Sequence, residues 1–132
     1  MKKLKVYYAH FMGIYNTPQE KRDVETLEAL GFEVLNPNTP ETKEQCKREF
    51  DHVSNDEEYQ RAFSVVFHPK VSQCEVFAFK ALPDGRIPGG VAIELRWAQL
   101  ANKLIIELPS GTYARCMGKD DTREYLRDIG QR

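Results

Sequence analysis

Residues 74–108 read CEVFAFKALPDGRIPGGVAIELRWAQLANKLIIEL. The apolar, aromatic and β-branched run at 74–79 predicts a strand. The prolines and glycines of 80–90 make a polar loop. A helix is expected from about Gly90 to Asn102, and KLIIEL at 103–108 predicts another strand. Strand, helix and strand in this order form a βαβ unit, whose strands run parallel under a covering helix.

The rest of the chain repeats the theme. LKVYYAH at 4–10 reads as a strand. In Thr17-Pro18-Gln19-Glu20, Thr17 can cap a helix, Pro18 suits its first position and Glu20 completes a capping box. That helix runs to Leu30, with Gly31 as its stop. Residues 32–35 form a short strand ended by Asn36-Pro37. Thr39-Pro40 starts a modest surface helix carrying Cys46, Phe50 and Val53 at i, i+4 and i+7. Ser54 and Glu57 form a second capping box, before a stripe of Tyr59, Ala62, Phe63 and Val66 that should end near Pro69. Residues 120–129 make a last helix. The expected fold is a three-layer, Rossmann-like α/β domain spanning 1–132, with a four- or five-stranded, mainly parallel sheet. Ligands of such sheets bind beyond the carboxyl ends of the strands, which selects the loops at 9–15, 36–38, 80–90 and 109–113.

Composition narrows the function classes. Lys+Arg is 19 and Asp+Glu is 20, so the basic excess of a nucleic-acid-binding domain is missing. No apolar run approaches the ~20 residues that cross a bilayer. The N-terminal MKKLKVYYAHFMG lacks the long apolar stretch and cleavage site of a signal peptide. Cys46, Cys74 and Cys116 are widely spaced and odd in number, which suggests neither a disulfide framework nor a zinc site. P-loop, dinucleotide-fingerprint, HExxH and GxSxG patterns are absent. The expectation is a cytoplasmic protein with no metal and no cofactor, contacting neither nucleic acid nor membrane.

One residue breaks the pattern. On a wheel of 3.6 residues per turn, Arg96, Gln99 and Lys103 share the wet side of the fourth main helix. Glu94 lies nearly opposite, among Val91, Trp97, Ala98 and Ala101. A carboxylate on an apolar face is costly to bury unless it is paired or hydrogen-bonded. It can be a structural ion-pair partner or a functional group. The preceding Pro88-Gly89-Gly90 lets backbone approach a ligand, and a helix N-terminus favours an anion.

The run Gly90-Val91-Ala92-Ile93-Glu94-Leu95, together with Val6-Tyr7-Tyr8-Ala9, resembles the nucleoside 2-deoxyribosyltransferase-like superfamily. The style is nearest to its nucleoside 5′-monophosphate N-glycosidases. The motifs span a small part of the chain, and the order of elements agrees over nearly all of it. The resemblance implies that Glu94 is a nucleophile at an anomeric carbon, that Tyr7 orients it, and that an aspartate handles the base. It also implies a homodimer or larger assembly. Two positions depart from the family. Pro88 stands where transferases carry an aspartate and the monophosphate hydrolases a serine, and Phe67-His68 stands where a family acid is expected.

Asp84 is then the candidate general acid, although Leu82-Pro83-Asp84-Gly85 is also good turn sequence, and His68 is a weaker substitute. His10, at the end of the first strand, can donate to phosphate or ribose. Arg86 offers a bidentate fork to phosphate. Asn36, Gly89, Gly90 and Ser110 lie in the ligand-facing loops, with Thr112 beside Ser110. Met12, with Phe11 and Tyr15, can stack on a base or pack under its loop. The expected function is hydrolysis of the N-glycosidic bond of a nucleoside monophosphate or nucleoside. The alternative is a non-catalytic module that binds a nucleotide or nucleotide-derived signal.

Overall fold

The computed structural model describes residues 2–111 and 115–131. Its four strands are β1 (Lys5–Ala9), β2 (Glu33–Leu35), β3 (Val76–Lys80) and β4 (Leu104–Leu108). All pair in parallel in the order β2-β1-β3-β4. The helices are α1 (Pro18–Ala29), α2 (Pro40–Phe50), α3 (Asp56–Ser72), α4 (Gly89–Leu100) and α5 (Lys119–Asp128). Among the described residues the sheet is thus the four-stranded parallel one of a three-layer, Rossmann-like α/β fold, and no helix is long and apolar enough to cross a membrane.

The two central strands are the most apolar, as a parallel sheet covered on both faces requires. Every residue of β3 is buried, and so are the last four of β1. Their alternation sorts the core into two layers. Tyr7, Ala9, Phe77 and Phe79 pack under Val71 of α3 and Val91 and Ala98 of α4. Val6, Tyr8, Val76 and Ala78 pack on Val24 and Leu27 of α1. The register sets Tyr7 beside Phe77, with ring centroids 5.8 Å apart. α2 lies along α3, one step further from the sheet.

Local signals place most helix ends. Thr17 accepts the Glu20 N–H at 3.3 Å and Thr39 accepts the Thr42 N–H at 3.1 Å. Gly31, at φ +97°, follows the α1 C-cap in the left-handed conformation that favours glycine. Three local expectations are corrected. The Glu20 carboxylate reaches the N–H of Asn16 rather than that of Thr17, because it also binds His10. Asn55, not Ser54, caps α3 through the N–H of Glu58. α3 also runs through Pro69 to Ser72 instead of stopping there. Pro69 lacks the N–H that would bond the Val65 carbonyl. Val65 is 47% exposed, within reach of water, and continuing the helix buries Val71 against the sheet.

The α1 layer contains a buried ion pair. Lys80 Nζ lies 3.0 Å from Asp23 Oδ1, and the Tyr8 hydroxyl donates to Asp23 Oδ2 at 2.5 Å. Removing one member of such a pair leaves the other charge stranded. Asp23→Ala should therefore cost about 3–5 kcal/mol of stability. Asp84→Ala, at an exposed turn, should stay within about 0.5 kcal/mol. Urea unfolding midpoints of the two variants check this, and equal midpoints would contradict it.

Candidate functional site

Strand order reverses between β1 and β3. From β1 the chain crosses to β2 on one side, then returns past β1 to β3 on the other. A crevice therefore opens beyond the carboxyl ends of these strands. It is a cavity of about 740 Å³. Tyr7 and Glu94 line it from the sheet and α4, and Phe11, Met12 and Tyr15 line it from the β1–α1 loop. Lys43, Cys46, Lys47 and Phe50 face it from α2, and Tyr59, Phe63 and Phe67 from α3. Gly90 closes the α4 side. A Cβ there would sit 3.3 Å from the Phe63 ring, so glycine lets α4 come close to α3. Gly89 meets nothing within 4 Å.

Glu94 is buried, 5% exposed, on the second turn of α4. The Tyr7 hydroxyl donates a hydrogen bond to Glu94 Oε2. Burial disfavours the charged carboxylate and the Tyr7 bond partly restores it, which leaves the Glu94 carboxyl pushed up to about 7. Burial, reinforced by the Glu94 charge, holds the Tyr7 phenol protonated far above neutrality. Burial and then the charge of Glu94 also raise Tyr15, so its hydroxyl lies within the electrostatic reach of the carboxylate. The Tyr15 N–H donates to the Met12 carbonyl at 3.0 Å, and its hydroxyl has no hydrogen-bond partner among the described residues. The loop reading of Tyr15 anticipated stacking on a base or packing under the loop, and not a place beside the carboxylate. Its proximity to Glu94 depends on how the loop folds back, which no local signal reports.

His10 lines the same cavity with its side chain fully covered. Its Nδ1 is 3.1 Å from the Tyr8 carbonyl and its Nε2 is 2.7 Å from Glu20 Oε2. Both nitrogens expected to meet a ligand are thus committed to the protein. The ring stacks on Tyr8 at 3.7 Å and leans against Tyr15 at 4.8 Å. Burial pulls the imidazole pKa down against these contacts. Burial pushes Glu20 up, but bonds from His10, the Asn16 N–H and Asn38 outweigh it and hold the carboxylate ionised. The Asn38 amide donates to both Glu20 oxygens, at 3.1 and 3.0 Å. His10 therefore ties the loop after β1 to the loop after β2.

Of the sequence-derived candidates, the fold brings Glu94, Tyr7, His10, Met12 and Gly90 to the cavity wall. Asp84 and Arg86 do not line it. They pair with each other at an exposed turn, where Arg86 Nε is 3.3 Å from Asp84 Oδ2. The Asp84 carboxylate also accepts the Arg86 N–H at 3.0 Å, as a turn aspartate does. Asn36 turns its side-chain oxygen to the Asn38 N–H, away from the lining. Ser110 lies outside the lining, with a buried hydroxyl that has no partner among the described residues. Thr112 and Tyr113 fall outside the described residues. His68 is exposed, near Ser72 Oγ at 3.2 Å, with its ring edge-on to Trp97. The surprise is α2. Its Cys46 and Phe50 read as the apolar stripe of a surface helix, and the same spacing carries Lys43 and Lys47 onto the cavity face.

No family model matches the chain, and no curated protein is a significant match to it.

The raised Glu94 pKa has a definite sign in stability. The folded value, about 7, lies above the ordinary 4.5, so the folded state holds this proton more tightly. The stabilisation is complete below pH 4.5 and is lost as pH rises to about 7. Relative to the parent, Glu94→Gln should gain about 3 kcal/mol between pH 4.5 and pH 8. Tyr7→Phe removes the bond that favours the carboxylate, so Glu94 should titrate higher still in that variant. Urea unfolding across this pH range, with infrared detection of the protonated carboxyl, tests both. A pH-independent difference would contradict the assignment.

Proposed function

We propose that this protein cleaves the N-glycosidic bond of a nucleoside or nucleoside monophosphate, with Glu94 as the nucleophile. The observation that carries this reading is a buried carboxylate, hydrogen-bonded by the Tyr7 hydroxyl, at the wall of a cavity rich in aromatic side chains. The resemblance of Val6-Tyr7-Tyr8-Ala9 and of the run around Glu94 to deoxyribosyltransferase-like enzymes points the same way.

In this mechanism the aromatic side chains hold the base. Glu94 Oε1 attacks the anomeric carbon while Tyr7 retains Oε2. The bond to the base nitrogen breaks, and its electron pair leaves with the base, which takes up a proton. The glycosyl ester on Glu94 is then opened by water, returning the carboxylate and a free sugar, as in retaining glycosidases. Because the carboxylate is the attacking form, activity rises with pH as Glu94 ionises near pH 7. Asp84 stands away from the cavity, so the proton for the leaving base comes from solvent or from the Tyr15 hydroxyl.

A second reading has its own support. Glu94 is the only carboxylate in the cavity lining among the described residues, and a glycosidase ordinarily uses two. A binding module would use Glu94 to grip ribose hydroxyls and release no base. In the first reading the protein is also expected to form a homodimer or larger assembly, which light scattering at micromolar concentration reads directly.

Glu94→Gln separates the two functions. It keeps the shape and loses the charge, which stabilises the transition state far more than the bound substrate. For the glycosidase, free-base release should fall by several orders of magnitude, while binding changes by no more than roughly tenfold, or about 1.4 kcal/mol. For the binding module, wild type releases no base and Glu94→Gln weakens the complex. Unchanged turnover in Glu94→Gln would remove Glu94 from the chemistry.

A further inference from the structure

Among the described residues, three carboxylates are buried: Glu20, Asp23 and Glu94. Two of them are matched by a cation-forming side chain. His10 Nε2 lies 2.7 Å from Glu20, and Lys80 Nζ lies 3.0 Å from Asp23. Glu94 is different. Its hydrogen-bond partner is the Tyr7 hydroxyl, which carries no charge, and no cation pairs with it among the described residues. A buried carboxylate without a counterion is costly in its charged form. Glu94 faces a cavity, so a ligand can supply the missing charge there. The cations of the cavity wall do not. Lys43 and Lys47 are exposed on α2, where water and salt screen them. Burial and the Tyr7 bond account for the proton affinity of Glu94, and neither lysine contributes to it. Much of the remaining wall is aromatic, with Tyr15, Tyr59, Phe63 and Phe67 among its side chains. Aromatic faces attract a cation, and more strongly once it is desolvated.

From this arrangement we infer that the cavity selects a nucleoside whose base carries a fixed positive charge, such as an N-ribosylpyridinium or an N7-alkylated purine. The inference rests on the glycosidase reading above and names its substrate class. The cationic ring is the counterion that Glu94 lacks, and the aromatic wall holds it by its charge as well as by its face. Such a base also fits a cavity with one carboxylate. Asp84 is paired with Arg86 at an exposed turn, and the lining holds no second carboxylate among the described residues. A neutral base must take up a proton as it leaves. A cationic base need not. Glu94 Oε1 bonds to the anomeric carbon, the bond from that carbon to the base nitrogen breaks, and its electron pair cancels the charge of the ring. The base departs neutral. In the transition state the positive charge passes from the ring to the sugar, closer to the attacking carboxylate, so the stabilisation by Glu94 grows as the bond breaks. Water then opens the ester, returning the Glu94 carboxylate and the free sugar and releasing one proton to solvent.

The test separates charge from shape. The 1-methylnicotinamide cation and its neutral isostere 3-methylbenzamide have no glycosidic bond to break. Both are titrated calorimetrically, at a pH where Glu94 is ionised, into wild type, Glu94→Gln and Glu25→Gln. Glu25 is exposed on α1, across the sheet, and controls for the change in net charge. Wild type should bind the cation at least about tenfold more tightly than the isostere. Glu94→Gln should lose most of that preference, and Glu25→Gln should keep it. Thermal unfolding of each variant confirms the fold, and the comparison within wild type needs no variant. A wild type with no preference for the cation overturns the inference, and so does a preference that survives intact in Glu94→Gln. Base release is then assayed on 7-methylguanosine and guanosine, each corrected for spontaneous loss in buffer. The methylated, cationic nucleoside should be the better substrate. Release from guanosine that needs Glu94 and equals or exceeds release from 7-methylguanosine keeps the glycosidase and overturns the substrate class. A Glu94-dependent preference for the cation without any base release keeps the ligand class and removes the enzyme.

Discussion

The hydrogen bond from Tyr7 to Glu94 is the contact on which the rest of the site depends. A buried carboxylate with no partner would be a large penalty for a domain of this size. Tyr7 offsets part of it from the neighbouring central strand, where its ring is fixed against Phe77. That fixing needs β1 and β3 to be adjacent, and it needs α4 to cross the sheet with Val91 and Ala98 turned inward. Glu94 then projects from the same helical face into the crevice. The result is a carboxyl poised near neutrality, neither lost to burial nor simply solvated.

A second polar system holds the walls in place. The chain from Asn38 through Glu20 and His10 joins the loops after β2 and β1, and Tyr8 under the His10 ring leads on to Asp23 and Lys80 of β3. Its members are well satisfied, which is the condition for a buried polar network to rigidify a fold rather than weaken it. Asn16, at φ 62°, takes a left-handed turn within this system, its N–H bound to Glu20 and its side chain to Asn38. The loop carrying Phe11, Met12 and Tyr15 is therefore braced at its base. Gly13 supports it differently, since a Cβ there would collide with the Phe11 ring at 2.2 Å.

The far wall comes from α2 and α3, whose side chains face the crevice. Phe63 shows why the aromatic residues of α3 are so numerous. Its ring contacts Tyr59, Phe67 and Trp97, so one cluster joins the core to the cavity surface. The same side chains that pack the domain thus provide a surface on which a flat ligand can lie.

The sequence alone determined what depends on neighbours along the chain. Periodicity identified the strands and helices, capping residues marked the starts of α1 and α2, and the wheel put Glu94 on an apolar face before any contact was known. Tyr7 came from the resemblance of its strand. Local rules failed by small steps where a distant partner competed, as when Glu20 took Asn16 and His10, or where buried area outweighed a missing hydrogen bond, as at Pro69. They failed more widely for the loops. Asp84, Arg86 and Ser110 follow strands as a binding residue should, yet the fold turns them away from the cavity, while Lys43 and Lys47 of an apparently ordinary surface helix turn into it. Which loop faces the crevice depends on the direction of each crossover and on packing between residues far apart in the chain. Those long-range contacts exist only once the tertiary structure has formed.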